Sequence, residues 1–221
     1  MPKTTRNPTT RLLRPTGRGR SDGWRYPSNV ERLEWQPPKA PALGLVELSS
    51  IAQGLYAADE IVKKAPVRLL SLAPVSPGKI LIVFAGDESS VRSSHERGLE
   101  IGEGWLTDEL LIPQIHPQII PAINETVKVK HLDATGLIET ETASSCVIAA
   151  DRAAKAAHIQ LLEVRLARGI GGKGYFTMTG PLEEVEAALE AGIQEPQARG
   201  LLVNRVLIPN PDPELLRHLT L

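Results

Sequence analysis

The chain has 221 residues, of which 42% are hydrophobic and 4% aromatic, and its formal net charge is -1. That balance excludes a strong field aimed at nucleic acid or an anionic membrane, and the shortage of large rings argues against a deep ligand pocket. A single cysteine, Cys146, excludes an internal disulfide, and no apolar run reaches the roughly 20 residues of a membrane span, so a cytoplasmic protein without nucleic-acid or membrane partners is expected.

Residues 1–40 read as a basic extension. Lys3, Arg6, Arg11, Arg14, Arg18, Arg20 and Arg25 face only Asp22 in the first 25 positions. Such a composition cannot bury enough apolar surface to order itself, which predicts a solvated tail able to dock on an acidic face. Trp24, Tyr26 and Trp35, beside Pro27, Pro37 and Pro38, suggest that its end packs on the body. A strand is predicted over Ala42 to Leu48, then a helix capped by Ser49 or Ser50 and running through Ala65, with Ile51, Leu55, Ala58, Ile61 and Val62 along one face. Pro66 closes it. Val67 to Ala73 and Lys79 to Ala85 read as strands joined by Pro74-Val75-Ser76-Pro77-Gly78. Asp87 or Ser89 starts a second helix toward Gly98, and Leu110 to Pro113 is a last strand.

The same order then returns. Gly-Leu-Val-Glu from Gly44 recurs as Gly-Leu-Ile-Glu from Gly136, and Ala-Ala-Asp-x-x-x-Lys recurs with Asp59 matched by Asp151 and Lys63 by Lys155. Gly78-Lys79 answers to Gly172-Lys173, Gly98 to Gly192, and Ile112-Pro113 to Ile208-Pro209, with two insertions of two residues accounting for the drift. The second copy predicts strands near Thr135 to Glu139, Gln160 to Leu166, Gly174 to Thr179 and Leu201 to Ile208, and helices near Ala143 to Ala157 and Leu182 to Ala191. The chain is a tandem duplication of two α/β (α+β) domains, over residues 41–124 and 133–217, each a small sheet covered by helices.

No catalytic set emerges. Gly169, Gly171 and Gly174 satisfy G-x-G-x-x-G, but Tyr175-Phe176-Thr177-Met178-Thr179 behind them reads as a strand, where a dinucleotide site needs a helix. A phosphate-cradling lysine loop fails as well, because Gly174 follows Lys173 where Ser or Thr is required. A tight loop between two strands accounts for the glycines. His95, His116, His131, His158 and His218 are scattered singly, without metal-site spacing. Cys146 takes the place of Gly54 on the first helix of its copy and reads as a buried structural thiol. Glu47 and Glu139 recur at equivalent strand ends, which favours a structural role over half of an acid/base pair. Enzyme activity has no positive support.

The run Gly-Leu-Val-Glu-Leu, then Ala-Ala-Asp-x-x-x-Lys-x-Ala, a Gly-Lys loop, a strand ending in glycine and a closing Ile-Pro resembles the bacterial microcompartment shell domain. Two copies in one chain resemble its tandem, trimer-forming class, in the non-permuted order, and the likeness extends to tandem shell proteins of propanediol-utilisation compartments through Pro77-Gly78-Lys79, Ile115-His116-Pro117 and Gly169-Ile170-Gly171-Gly172-Lys173. This resemblance implies a homotrimer that imitates a hexagon, tiles a shell facet beside hexameric and pentameric shell partners, and encloses enzymes. It implies that Val75, Ser76, Pro77 and Gly78, with Gly169, Ile170, Gly171 and Gly172, line a central pore for small polar metabolites. Lys63 and Lys155 fall on the family's tile-edge lysine, and Gln114 and Asn210 stand where an edge arginine is usual. The related tandem proteins carry a cysteine at the place of Ser76, where three thiolates hold an iron-sulfur cluster. A serine hydroxyl is hard and normally protonated, so no cofactor is expected here. The competing readings are a trimeric small-molecule sensor or carrier, and a redox variant with a metal at the threefold axis.

Overall fold

The computed structural model describes residues 36–129 and 131–219, so the docking expected of Trp24, Tyr26 and Trp35 lies outside the described residues. The first copy runs β1 (Ala42–Leu48), α1 (Ile51–Lys64), β2 (Arg68–Val75), β3 (Lys79–Gly86), α2 (Glu88–Ile101), β4 (Leu106–Ile112) and α3 (Ile119–Ile123). The second runs β5 (Ala134–Thr140), α4 (Ala143–Ala156), β6 (Gln160–Leu166), β7 (Gly174–Gly180), α5 (Leu182–Ala198), β8 (Leu202–Ile208) and α6 (Pro213–Leu219). Each copy forms a four-stranded antiparallel sheet, ordered β2-β3-β1-β4 and β6-β7-β5-β8. Even the irregularities repeat: register shifts fall between Glu47 and Leu48 and between Glu139 and Thr140.

The helices start where side chains can satisfy the orphan amides of the first turn. Ser50 accepts the Gln53 N–H at 3.3 Å, Thr142 accepts the Ser145 N–H at 3.2 Å, and Asp87 accepts the Ser90 N–H at 3.0 Å. Hydrogen bonds from Ser90 and Ser89 hold the Asp87 carboxyl well below the usual carboxylate range. In the first copy α1 and α2 cover one face of the sheet, burying Ala42, Val46, Leu48, Ala57, Ala58, Ile61, Ile80, Ile82, Phe84 and Val91 in a continuous core.

Several boundaries differ from the sequence expectation. β2 continues through Val75, which shortens the first loop to Ser76-Pro77-Gly78. β4 begins at Leu106 rather than Leu110, since Asp108 and Glu109 pair with β1 despite their polarity. α2 passes through Gly98 to Ile101: a Cβ there would lie 2.8 Å from Ile61 Cδ1, so this glycine marks close helix–helix approach rather than a helix end. α5 likewise runs on to Ala198, with Pro196 close to its end, where a missing N–H costs little of the ladder. The short helices α3 and α6 were not anticipated, because five to seven residues carry too little periodicity to register.

Candidate functional site

The two glycine-bearing loops lie against each other. A Cβ on Gly172 would come within 3.2 Å of the Ser76 carbonyl oxygen, so the β2–β3 loop of one copy abuts the β6–β7 loop of the other. Ser76, Pro77 and Gly78 are exposed, as are Gly169 and Gly171; Ile170 and Gly172 are partly covered and Val75 is buried. Gly169, Gly171 and Gly172 all take positive φ values of 72° to 91°, and Gly78 has φ 99°, backbone that a side chain would strain. A carboxylate anchors each loop from behind, buried in the first copy and half-buried in the second: Lys79 pairs with Glu47 at 2.6 Å, and Lys173 with Glu139 at 3.2 Å. The repeated glutamates therefore position loops, in keeping with their structural reading. Glu47 is more deeply buried and also accepts the Thr107 hydroxyl at 2.9 Å.

The second feature is the seam between the copies. The segment after β4 lies across α4 and β6, held by a set of hydrogen bonds. The Lys155 ammonium donates to the Gln114 carbonyl and to the Asp151 carboxylate, both at 2.6 Å, and the other Asp151 oxygen accepts the His116 N–H at 2.7 Å. Gln118 bridges to the edge strand, donating to the Ile159 carbonyl at 2.8 Å and accepting the Leu161 N–H at 2.7 Å. The Ser144 hydroxyl donates to Asp108, and Arg165 reaches Glu125 at 3.3 Å. Beside this seam His116, Gln118, Lys155, His158 and Glu184 line a cleft of about 510 Å³. Burial holds the His116 imidazole below its ordinary pKa, with Asp151 pulling upward and Lys155 downward.

Lys63 occupies the matching place in the first copy, where among the described residues no segment lies across α1 as the one after β4 lies across α4. Among the described residues it pairs with Asp59 and, at 4.0 Å, with Glu60. The sequence brought Lys63 and Lys155 to attention as equivalents, but their surroundings differ: one anchors a neighbouring domain and the other faces outward. Gln114, expected at a tile edge, contributes here a backbone carbonyl, for which its side-chain identity is irrelevant. Asp151 was singled out only as the repeat of Asp59, and Gln118 and Asp108 not at all, since their side chains act across a boundary that a one-dimensional reading does not see.

Cys146 is fully buried on α4, and burial pushes its thiol pKa up. Among the described residues no group of three or more His, Cys, Asp or Glu side chains is placed to hold a metal ion, and the exposed Ser76 supplies a hydroxyl rather than a thiolate. Among the described residues no helix is long and apolar enough to cross a membrane.

Comparison with known proteins agrees with this architecture. The model of the BMC domain matches twice, over residues 42–115 and 134–211. The chain is 37% identical to the bacterial microcompartment shell protein PduT of Citrobacter freundii over 178 residues, 80% of this chain and 97% of that protein. It is 28% identical to the carboxysome assembly protein CcmO of Synechocystis, over 82% of this chain and 65% of the relative. A crystal structure of a microcompartment protein from Desulfitobacterium hafniense superposes with a TM-score of 0.78 at 40% identity, covering 80% of this chain and 99% of that one. With two matched domains in one antiparallel α+β chain, this protein belongs to the BMC-domain family of bacterial microcompartment shell proteins.

Proposed function

We propose that this shell protein is a structural tile without enzymatic activity, in which three chains close head to tail into a pseudohexagonal plate around a central pore. The observation that carries this reading is the unequal covering of equivalent surfaces within one chain. On α4 and β6, Val147 is 0% and Val164 2% exposed, because the first copy lies over them; their counterparts Leu55 and Leu72 are 53% and 37% exposed. Ile51, Tyr56 and Val62 extend the same uncovered apolar face on the first copy. At the other end of the chain, Asn210-Pro211-Asp212 and α6 repeat the segment that covers α4, but they follow the last domain. A second molecule supplies what each end lacks, and a head-to-tail contact of this kind gives a ring when its rotation closes. Exposed apolar surface of this extent on one face is the mark of an association site.

In that ring the abutting loops, Val75 to Gly78 and Gly169 to Gly172, face the axis. The three Ser76 hydroxyls and the exposed backbone groups offer hydrogen bonds to a small polar metabolite in exchange for part of its hydration, while the aperture excludes larger cofactors. Lys63 and Lys155, with Gln114 and Asn210, lie toward the rim, where the remaining exposed flank of each lysine meets a neighbouring tile. The side-chain surface of Lys155 is still 46% exposed while it anchors the seam, which leaves it able to serve both contacts. The partners are hexameric and pentameric shell proteins, with enzymes enclosed by the finished shell.

Native mass measurement combined with negative-stain imaging tests the reading. A particle of three times the 24.0 kDa chain mass, with a central depression and entry into shells when hexameric and pentameric partners are added, is the expected result. A stable monomer, or a trimer that binds a metabolite saturably but never joins sheets or shells, would overturn it.

A further inference from the structure

We propose that the joint between copies carries charge at positions where the joint inside the chain has His116, Gln118 and Ala156: Asp212 and Glu214 of one copy seat against Lys63 and Lys64 of the next. This rests on the head-to-tail reading above, and it specifies what makes a second copy of this chain, rather than another shell domain, the fitting partner.

The internal seam supplies the template. Register places Asp212 at the position of His116 and Glu214 at that of Gln118, and both segments fold the same way. The Asp212 carboxylate accepts the Glu214 N–H at 2.8 Å, as His116 Nδ1 faces the Gln118 N–H at 3.4 Å, each at the start of the short helix that follows. In the internal seam, His116 and Gln118 share a cleft with Lys155 and Ala156, and the field of Lys155 reaches the His116 ring. The corresponding acceptor residues on the first copy are Lys63 and Lys64, both exposed, with Arg68 in the place of Gln160.

The substitutions between the two joints run in opposite senses on the two sides. His116 and Gln118 become two carboxylates, while Ala156 and Gln160 become two cations. On the acceptor face Asp59 compensates Lys63, as Asp151 does Lys155 in the internal seam, and Glu60 is taken up by Arg97, which leaves Lys64 and Arg68 as the added cations. The Asp108–Ser144 hydrogen bond has no counterpart, because Asn204 and Ala52 hold those places. Complementary charge at a rim mainly sets partner choice, association rate and salt dependence, and like charges placed opposite one another are strongly unfavourable.

The test uses the full chain and sedimentation velocity over a range of sodium chloride concentrations. Wild type is expected to form trimers whose dissociation constant rises with salt. D212K/E214K, on exposed positions, is expected to weaken association about a hundredfold or more while keeping its circular dichroism, and adding K63E/K64E in the same chain is expected to restore trimers. If D212K/E214K assembles like wild type, or if the fourfold reversal fails to recover assembly, the charge key is overturned while the ring stands. A wild-type trimer indifferent to salt overturns it as well, which decides the matter should a variant misfold. A wild type that never trimerises instead removes the reading beneath it.

Discussion

Gly54 and Ile80 exchange sizes with their counterparts in the second copy. A Cβ on Gly54 would lie 1.9 Å from Ile80 Cγ2, while in the second copy Cys146 sits where Gly54 does and faces Gly174, whose own Cβ would lie 2.4 Å from that of Cys146. Each pair puts one bulky and one absent side chain into the same gap between the first helix and the third strand. The two cores are solved by opposite distributions of the same volume.

A double-mutant cycle checks this. Gly54→Cys alone forces a side chain into Ile80 and is expected to cost ~1–3 kcal/mol. Ile80→Gly alone opens a cavity and removes strand propensity, at a cost of ~3–5 kcal/mol. The double variant, which imports the second copy's arrangement, should be more stable than the sum of the single effects by at least ~1 kcal/mol, measured by denaturant unfolding. Simple additivity would show that the pairs do not share a gap.

The seam supplies a second test. Asp151→Ala leaves the His116 amide and the Lys155 ammonium without their partner in a partly buried contact, and is expected to cost ~1–3 kcal/mol. Asp59→Ala, at the equivalent but exposed place, should change the unfolding of the lone chain by less than ~0.5 kcal/mol. Hydrogen exchange at the His116 amide distinguishes a local opening of the seam from global loss.

Acid stability follows from the buried imidazoles. His95 is packed under β4, and burial lowers its pKa against the opposing pull of Glu109, whose carboxylate lies 3.0 Å from Nε2, and of the Leu45 carbonyl. Because the folded pKa lies below the unfolded value of about 6.5, the unfolded chain binds more protons between the two. Stability is then full above that unfolded value and declines as pH falls through the interval, with a slope of at most about 1.4 kcal/mol per pH unit for this residue. His95→Gln should flatten the corresponding part of a thermal-denaturation profile taken from pH 7 to pH 5. An unchanged profile would assign the acid sensitivity elsewhere.

Ser76→Cys places a thiol on an exposed loop that the proposed ring repeats around its axis. Anaerobic reconstitution with iron and sulfide is expected to give a coloured, iron-containing trimer, whereas wild type treated in parallel stays colourless. A colourless, iron-free variant that remains trimeric would put Ser76 away from the axis.

Much of the fold was readable because duplication doubles the signal. The Ser50 cap, answered by Thr142, the glycine after each third strand and the closing Ile-Pro occur twice in the same order, so a weak pattern in one copy was confirmed by the other. The loops were legible for the same reason, through glycines that a strand could not otherwise tolerate. Lys155 and Gln114 were both singled out, but their contact was not, since a backbone carbonyl carries no side-chain signature. The helix α3 escaped because its two buried isoleucines, Ile119 and Ile120, become meaningful only when β6 is there to receive them. Equal motifs also concealed unequal surroundings: Asp59 and Asp151 read alike in sequence, yet one is exposed and the other buried under a neighbouring domain.

The loops at the two ends of Gly172's contact with Ser76 differ in length and composition, one a proline turn and the other a glycine-rich arc. In the proposed plate of three such chains they would alternate around the aperture, so a change of one codon would alter every other corner and leave the intervening ones untouched. An engineer can therefore set width with one loop and polarity with the other, a freedom that a channel built from six identical subunits does not have.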